Sequence, residues 1–263
     1  MKRIFMTGAS SGIGLAIAKA LIDRGDEVWG TARRPERIPA LLGMHAVALD
    51  LADRESLGGI FRAAWREAGS FDVVINNAGS GYFGRAEALS SEELARHFQV
   101  LVFGQVELMH LALEAMKREK RGLVINVSSL ASRLPVPFMA AYNAAKAALA
   151  TYTMTTQIEL TDGYVRLVDL QPADINTGFN DAVMKAKETD PRVEQTWRAV
   201  DRNMKGAPAP ELVARAVLKL IDQNNPPPRI TVGDTFQSWV APLIFRFLPQ
   251  PVKIWGLKKY YGI

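Results

Sequence analysis

Short, solidly apolar runs alternate along the chain with longer segments whose apolar residues recur at helical spacing. Residues 3–6, 27–32, 47–49, 71–76, 123–128, 165–170 and 230–232 read as strands, most of them bounded by Gly, Asp or Asn. Several lack the in–out alternation of a strand with one wet face, which fits a parallel sheet covered on both faces. Between them, residues 12–24 place Ile13, Ile17, Ala20 and Leu21 on one helical face. Residues 90–119 open on Ser90-Ser91-Glu92-Glu93, a capping-box pattern, and run on as one long helix. This alternation predicts an α/β fold: one doubly wound, Rossmann-type domain over residues 1–263, its parallel sheet of about seven strands flanked by helices on both faces.

Two stretches break the alternation. Residues 178–210 follow the sixth strand and are rich in charge, with scattered apolar positions. An insertion at the carboxyl end of a sheet reads either as a lid over a ligand or as a solvated helical hairpin. Further on, Phe236, Trp239, Val240, Leu243, Ile244, Phe247 and Leu248 recur at helical spacing, with Pro242 set to kink the helix. Residues 252–261 then mix Trp255, Tyr260 and Tyr261 with Lys253, Lys258 and Lys259. This basic, amphipathic C-terminal extension, 236–263, suits a peripheral membrane contact. Packing on the protein or on a partner subunit is the commoner use of such a helix.

Composition narrows the chemistry. The 263 residues are 48% hydrophobic and 22% charged, which excludes a disordered, collagen-like or coiled-coil chain. With no cysteine there is no disulfide, thiolate metal site or cysteine nucleophile. His45, His97 and His110 are scattered, with no His-Glu-x-x-His helix, so no metal is expected. Acid–base work falls mostly to Tyr, Lys, Asp, Glu or Ser. The net charge of +5 is concentrated in the tail, where Arg229, Arg246, Lys253, Lys258 and Lys259 stand against Asp234 alone. A nearly neutral body argues against a nucleic-acid partner. The basic start, Met1-Lys2-Arg3, soon meets Thr7-Gly8-Ala9-Ser10-Ser11-Gly12, which breaks any signal-peptide core, and no apolar run reaches the ~18 residues of a membrane span. A cytoplasmic protein is expected, with any membrane association resting on the tail.

The turn Thr7-Gly8-Ala9-Ser10-Ser11-Gly12-Ile13-Gly14 follows the first strand and opens the first helix. Glycines there allow a tight turn and a close backbone approach to a pyrophosphate, and the helix N-terminus offers it free N–H groups. A glycine turn without a ligand is the alternative on so short a pattern. Folds of this type place an acid near the end of the second strand, ~20 residues past the turn, to bind a ribose 2′-hydroxyl. Here the segment reads Trp29-Gly30-Thr31-Ala32-Arg33-Arg34. No acid is present, and two guanidinium groups stand ready to grip a 2′-phosphate, which favours NADP(H) over NAD. A solvated arginine pair at a strand end is the plainer reading.

Tyr142-Asn143-Ala144-Ala145-Lys146 lies in a helical pattern, so Tyr142 and Lys146 share a face one turn apart. A nearby ammonium stabilises a phenolate and brings its pKa toward the working range of an acid–base catalyst. Alone, such a pair is weak evidence. With the glycine turn, Asn76-Asn77-Ala78-Gly79, Ser128-Ser129 after a strand, and a spacing of thirteen positions from Ser129 to Tyr142, the chain resembles the short-chain dehydrogenases/reductases. The resemblance covers residue 3 to about residue 233 and implies residue roles. Tyr142 would be the proton donor to a carbonyl, or the base for an alcohol. Lys146 would lower its pKa and hold the nicotinamide ribose, and Ser129 would position the substrate oxygen. Gly8, Ser10, Ser11, Gly12, Ile13 and Gly14 would cradle the pyrophosphate, with Arg33 and Arg34 at the 2′-phosphate. Asp50 and its neighbour Leu51 would meet the adenine. Asn76, Ala78 and Gly79 would wall the adenine ribose, and Pro172, Ile175 and Thr177 would hold the nicotinamide.

Two positions depart from the family pattern. Leu101 stands within Phe98-Gln99-Val100-Leu101-Val102-Phe103-Gly104 where the family has an asparagine that helps hold a water linking the lysine to solvent. Either a backbone carbonyl or a shifted water serves instead, or catalysis is lost and cofactor binding kept. Ala173 follows Pro172 where the family commonly has glycine. On the substrate side, residues 81–84, 130–139 and the lid from Phe179 offer little charge apart from Arg133, which suits a lipophilic ketone, aldehyde or alcohol, though such residues also serve as core or interface. The expectation is an NADP(H)-dependent carbonyl reductase or alcohol dehydrogenase, assembled as the family often is into a homodimer or homotetramer. A non-catalytic NADP-binding sensor or interaction protein on the same fold is the alternative that Leu101 keeps open.

Overall fold

The fold was analysed in a computed structural model that describes residues 1–187 and 190–263. In its first half, β1 (Arg3–Thr7), α1 (Gly12–Asp23), β2 (Glu27–Ala32), β3 (Met44–Ala48), α2 (Arg54–Ala68) and β4 (Val73–Asn76) are followed by a short β5 (Tyr82–Phe83). Then come α3 (Ser91–Phe98), a π-helical turn (Gln99–Phe103), α4 (Gly104–Arg118), β6 (Gly122–Val127), α5 (Ala140–Glu159) and β7 (Val165–Pro172). The remainder holds α6 (Phe179–Ala182), β8 (Met184–Lys185), α7 (Pro191–Gly206), α8 (Glu211–Asp222), β9 (Arg229–Val232), a second π-helical turn (Phe236–Val240), α9 (Ala241–Phe247) and α10 (Gln250–Tyr261). No described helix is long and apolar enough to cross a membrane.

Seven strands form a parallel sheet in the order β3-β2-β1-β4-β6-β7-β9, as the alternation predicts. Successive residues of β1 point to opposite faces, and both faces are dry. Ile4 and Met6 join a core with Ile17 and Leu21 of α1 and Val213 and Val217 of α8. Phe5 joins the opposite core with Phe61 of α2 and Leu108 and Met109 of α4. This double burial is why the strands read as unbroken apolar runs. The chain leaves β1 toward β2 and β3, then returns to place β4 on the other flank of β1. That reversal opens a crevice at the carboxyl ends of β1 and β4, the usual ligand position in open α/β sheets.

The structure corrects several expected boundaries. The helix expected over 90–119 is two helices joined by the π-helical turn at 99–103. The strand expected at 47–49 runs from Met44 to Ala48, because this edge strand is only partly buried and its one polar residue, His45, interrupts the apolar pattern. The sixth strand extends to Pro172, which pairs with Val232. Two two-residue strands, β5 and β8, pair with each other and are too short to leave a periodic signal. The segment 178–210 contains α6, β8 and α7, and its residues 188 and 189 lie outside the described residues.

Candidate active site

Thr7, the last residue of β1, sets the crevice. Its Oγ1 accepts hydrogen bonds from the backbone N–H of Asn77 and Ala78 at 3.0 and 2.9 Å, drawing the loop after β4 against the glycine turn. Asn77 Nδ2 in turn donates to the Thr7 carbonyl oxygen at 3.0 Å. Gly8 takes φ +74°, and Gly14 has no room for a side chain: a Cβ there would stand 1.9 Å from the Gly8 carbonyl oxygen. Gly14→Ala therefore forces backbone movement and is expected to cost about 1–3 kcal/mol of stability, readable as a lowered Tm with weakened dinucleotide binding.

The turn fits a pyrophosphate. Ser11 precedes α1 without making a side-chain cap, and the first turn of that helix has no acid, so its N–H groups and positive end are left for an anion. Ser10 is half-buried beside them, Ser11 is exposed, and Ile13 is half-buried. Thr177 stands across the turn, its Cβ 3.6 Å from where a Gly12 side chain would begin. The N–H groups of Gly8 and Ala9 both donate to the Thr31 carbonyl oxygen at 3.0 Å, tying the turn to the end of β2. Arg33 and Arg34 follow that anchor, exposed and without an ion-pair partner among the described residues. Asp50 Oδ1 accepts from the Ala52 N–H at 2.9 Å. Leu51 is buried in the core that Phe5 joins.

The Asn76 side chain turns into the protein interior. It is fully buried, and its amide donates to the Gln105 carbonyl oxygen at 3.0 Å and to Asn126 Oδ1 at 2.8 Å. The side chain ties β4 to α4 and β6. Pro172 and Ile175 are buried at and just beyond the end of β7.

Ser129, Tyr142 and Lys146 meet beyond β6. Ser129 Oγ accepts from the Ala131 N–H at 3.1 Å, which fixes the serine at the start of its loop. Lys146, on α5, is buried and donates to the Val127 carbonyl oxygen at 2.8 Å. Its Nζ lies 6.0 Å from the Tyr142 ring centre and 3.8 Å from where a Gly79 Cβ would stand. Burial pushes the Tyr142 hydroxyl above the ordinary phenol range; a hydrogen bond with Ser129 pulls it back, and Asp174 adds to the rise. Burial likewise lowers Lys146 to about 8, opposed by the negative charge of Asp169. Asp169, which nothing in the pattern singled out, is buried in β7. It accepts from Ser128, from Gln171 at 2.8 Å and from Arg229 at 2.8 Å.

Leu101 sits in the middle of the first π-helical turn, fully buried, and its Cδ2 lies 3.6 Å from where a Gly79 Cβ would stand, beside Lys146 Nζ at 3.8 Å. The wider turn shifts carbonyls out of the α-helical ladder. Gln105 Nε2 answers two nearby oxygens, those of Ala78 at 2.7 Å and Val100 at 3.4 Å. One turn before Leu101 stands His97, which the sequence did not mark. It is buried, and its Nε2 has no hydrogen-bond partner. Burial lowers its pKa, and the charge of Lys146 lowers it further, which places the two groups within electrostatic reach.

The three segments expected on the substrate side do converge. Phe83, Met139, Val183 and Val193 form an apolar cluster against which Phe138, Tyr142, Phe179 and Trp197 pack. The Tyr142 and Phe179 rings lie 5.8 Å apart. Gly81 lets the segments pack closely: a Cβ there would stand 2.8 Å from Val183 and 3.1 Å from Phe179.

A family model described as short chain dehydrogenase matches residues 2–188. The 3-ketodihydrosphingosine reductase of Bacteroides thetaiotaomicron is 29% identical over 266 residues, covering 99% of this chain and 98% of that protein. The NADPH-dependent 1-acyldihydroxyacetone phosphate reductase of Schizosaccharomyces pombe is 33% identical over 180 residues, 67% of this chain and 60% of that one. Among solved structures, a short-chain dehydrogenase from Streptomyces avermitilis aligns with a TM-score of 0.82 at 27% identity, over 99% of this chain and 96% of its own. The chain belongs to the short-chain dehydrogenase family. It is thus an oxidoreductase that works with a nicotinamide cofactor on a small molecule bearing a CH–OH or C=O group.

Proposed function

We propose that the protein is an NADP(H)-dependent reductase of lipophilic ketones or aldehydes, able to run in reverse on the alcohols. The observation that carries this reading is the setting of Tyr142, with one flank on the buried Lys146 and the other on the apolar cluster around Phe83 and Phe179. Two relatives whose names are those of ketone reductases support it. In the chain itself, turn 8–14, Arg33, Arg34, Asp50, Ala78, Gly79, Pro172, Ile175 and Thr177 would hold the dinucleotide. When bound, the nicotinamide supplies or takes up the hydride; the protein supplies position and the proton. Segment 178–210 acts as the lid, and a homodimer or homotetramer is the expected assembly.

In reduction, Tyr142 Oη gives its proton to the substrate oxygen while Ser129 Oγ hydrogen-bonds to that oxygen. A tyrosine that burial keeps protonated is suited to donating. The ammonium of Lys146 stabilises the phenolate and returns the proton. Water held by carbonyls of the π-helical turn, together with the free nitrogen of His97, then carries a proton from solvent to Lys146, in place of the missing asparagine. The intact Ser129, Tyr142 and Lys146 weigh against a non-catalytic sensor.

Three measurements bear on this scheme. Because Lys146 titrates near 8, kcat/KM for carbonyl reduction should fall as the pH rises through that value; a flat profile would remove Lys146 from the proton path. Leu101→Asn should keep or raise kcat and shrink the solvent isotope effect. His97→Phe should lower kcat by less than the ~100-fold of a direct acid–base group, with NADPH affinity unchanged. A natural protein inert on a broad panel, but active once Leu101→Asn is made, would instead favour the sensor.

A further inference from the structure

Beyond β9 the chain presents an unusual surface. Trp239, Leu243 and Phe247 are 76%, 61% and 75% exposed, and Phe236 and Ile244 extend the same stripe through the second π-helical turn and α9. Trp255 of α10 adds a fourth large exposed ring. Water-facing aromatic and aliphatic side chains in one continuous stripe mark an interaction surface.

The flank of that stripe is cationic. Arg133, Arg229, Arg246 and Lys253 line one cavity of about 550 Å³, with Phe245 and Pro242 on its α9 side. Arg229 is committed to the buried Asp169 at 2.8 Å. Arg133 donates to the neutral Thr231 Oγ1 at 2.9 Å. Among the described residues, no carboxylate lies within ion-pairing distance of Arg133, Arg246 or Lys253. Burial lowers the pKa of Arg133, the positive charge of Arg229 lowers it further, and Asp169 opposes both.

The occupant must therefore offer both anions and hydrocarbon. A second copy of this chain offers the wrong charge, since a two-fold contact here would set the three uncompensated cations against their own equivalents. Nucleic acid offers phosphate but nothing for Leu243 and Ile244. An acidic bilayer surface offers both: phosphate at headgroup depth, and an acyl boundary where tryptophan rings and aliphatic side chains settle.

We propose that the segment from Phe236 to the chain end docks the protein on membranes containing acidic phospholipid, with a headgroup phosphate in the Arg133–Arg229–Arg246–Lys253 cavity and the Trp239–Leu243–Phe247 stripe in the acyl boundary. The docked segment is also tied to the chain around the site. Gln237 Nε2 donates to Asp174 at 2.6 Å, and Asn203 on α7 donates to Tyr260 Oη at 3.1 Å. Docking would thus hold the lid segment beside the source of a lipophilic substrate.

Vesicle co-sedimentation tests this on the full chain. Binding to phosphatidylcholine vesicles should be weak, rise strongly when phosphatidylglycerol is included, and fall with added salt. Neutralising two cations in Arg246→Gln with Lys253→Gln should lower partition about 25-fold, at about fivefold per charge. Trp239→Ser with Phe247→Ser should remove binding to both vesicle types, and NADPH affinity measured alongside checks that each variant folds. Should a variant fail to fold, the lipid and salt dependence of the natural chain decides. Equal partition with and without phosphatidylglycerol overturns the proposal. So does a vesicle-independent dimer that Trp239→Ser with Phe247→Ser dissociates.

Discussion

Tyr142→Phe is expected to abolish turnover, by at least about 100-fold in kcat, while NADPH affinity stays within about twofold of the natural protein. The substitution removes one oxygen and the proton it carries. The ring keeps its place against Phe179 and the Lys146 ammonium keeps its bond to the Val127 carbonyl, so the cleft retains its shape. Stability should hold or rise slightly, because a buried hydroxyl gives way to a hydrocarbon edge. Single-turnover kinetics with NADPH and a reducible ketone measure the effect, and NADPH fluorescence titration checks binding. Retained activity would mean another acid serves. Asp72 is a poor substitute: it lies at the opposite end of the sheet, where its Oδ2 accepts from the Arg3 N–H at 2.9 Å. Asp174 is nearer, and burial raises its pKa, but its Oδ2 is engaged by Gln237 at 2.6 Å.

NADPH should bind about 10- to 100-fold more tightly than NADH, the equivalent of about 1.5–3 kcal/mol for hydrogen bonds to a charged phosphate. The cause is local. The end of β2 is held against the glycine turn through the Thr31 carbonyl, and the next exposed groups are Arg33 and Arg34, with no acid to repel a 2′-phosphate. Arg33→Ala should narrow the gap by weakening NADPH binding and leaving NADH nearly untouched. Added salt should narrow it as well, since both groups are exposed. Paired fluorescence titrations give both constants; equal affinities, or a preference for NADH, would show that the arginines are only a solvated pair.

The sheet was legible because Ile4, Phe5 and Met6 are all buried, as are Val73, Val74 and Ile75, so apolar runs mark strands directly. The glycine turn, Ser129, Tyr142 and Lys146 were legible because fixed spacing along the chain becomes fixed geometry once strand and helix form. The π-helical turn was not. Gln99 to Phe103 carry the same apolar spacing as an α-helix, and the extra residue per turn is supported by distant partners, including the Leu51 carbonyl that accepts from Gln99 Nε2 at 3.1 Å. His97 looked like one of three scattered histidines, and only its burial beside the lysine distinguishes it. Asp169 interrupts an apolar strand, and its value depends on Ser128 and Arg229 arriving from two other places in the chain to join Gln171 of the same strand. The direction of the Asn76 side chain was not legible, because a motif position says which residue is required without saying which way its side chain turns.

Consumption of NADPH, followed spectrophotometrically against a panel of carbonyl compounds, tests the central claim most directly. The panel should run from long-chain and cyclic ketones to small charged keto acids, with Tyr142→Phe as the control. The site predicts turnover that rises with the apolar surface of the substrate, is slight for charged keto acids, and vanishes in the control. NADPH bound tightly but consumed with no member of the panel, or consumed equally by Tyr142→Phe, would contradict it.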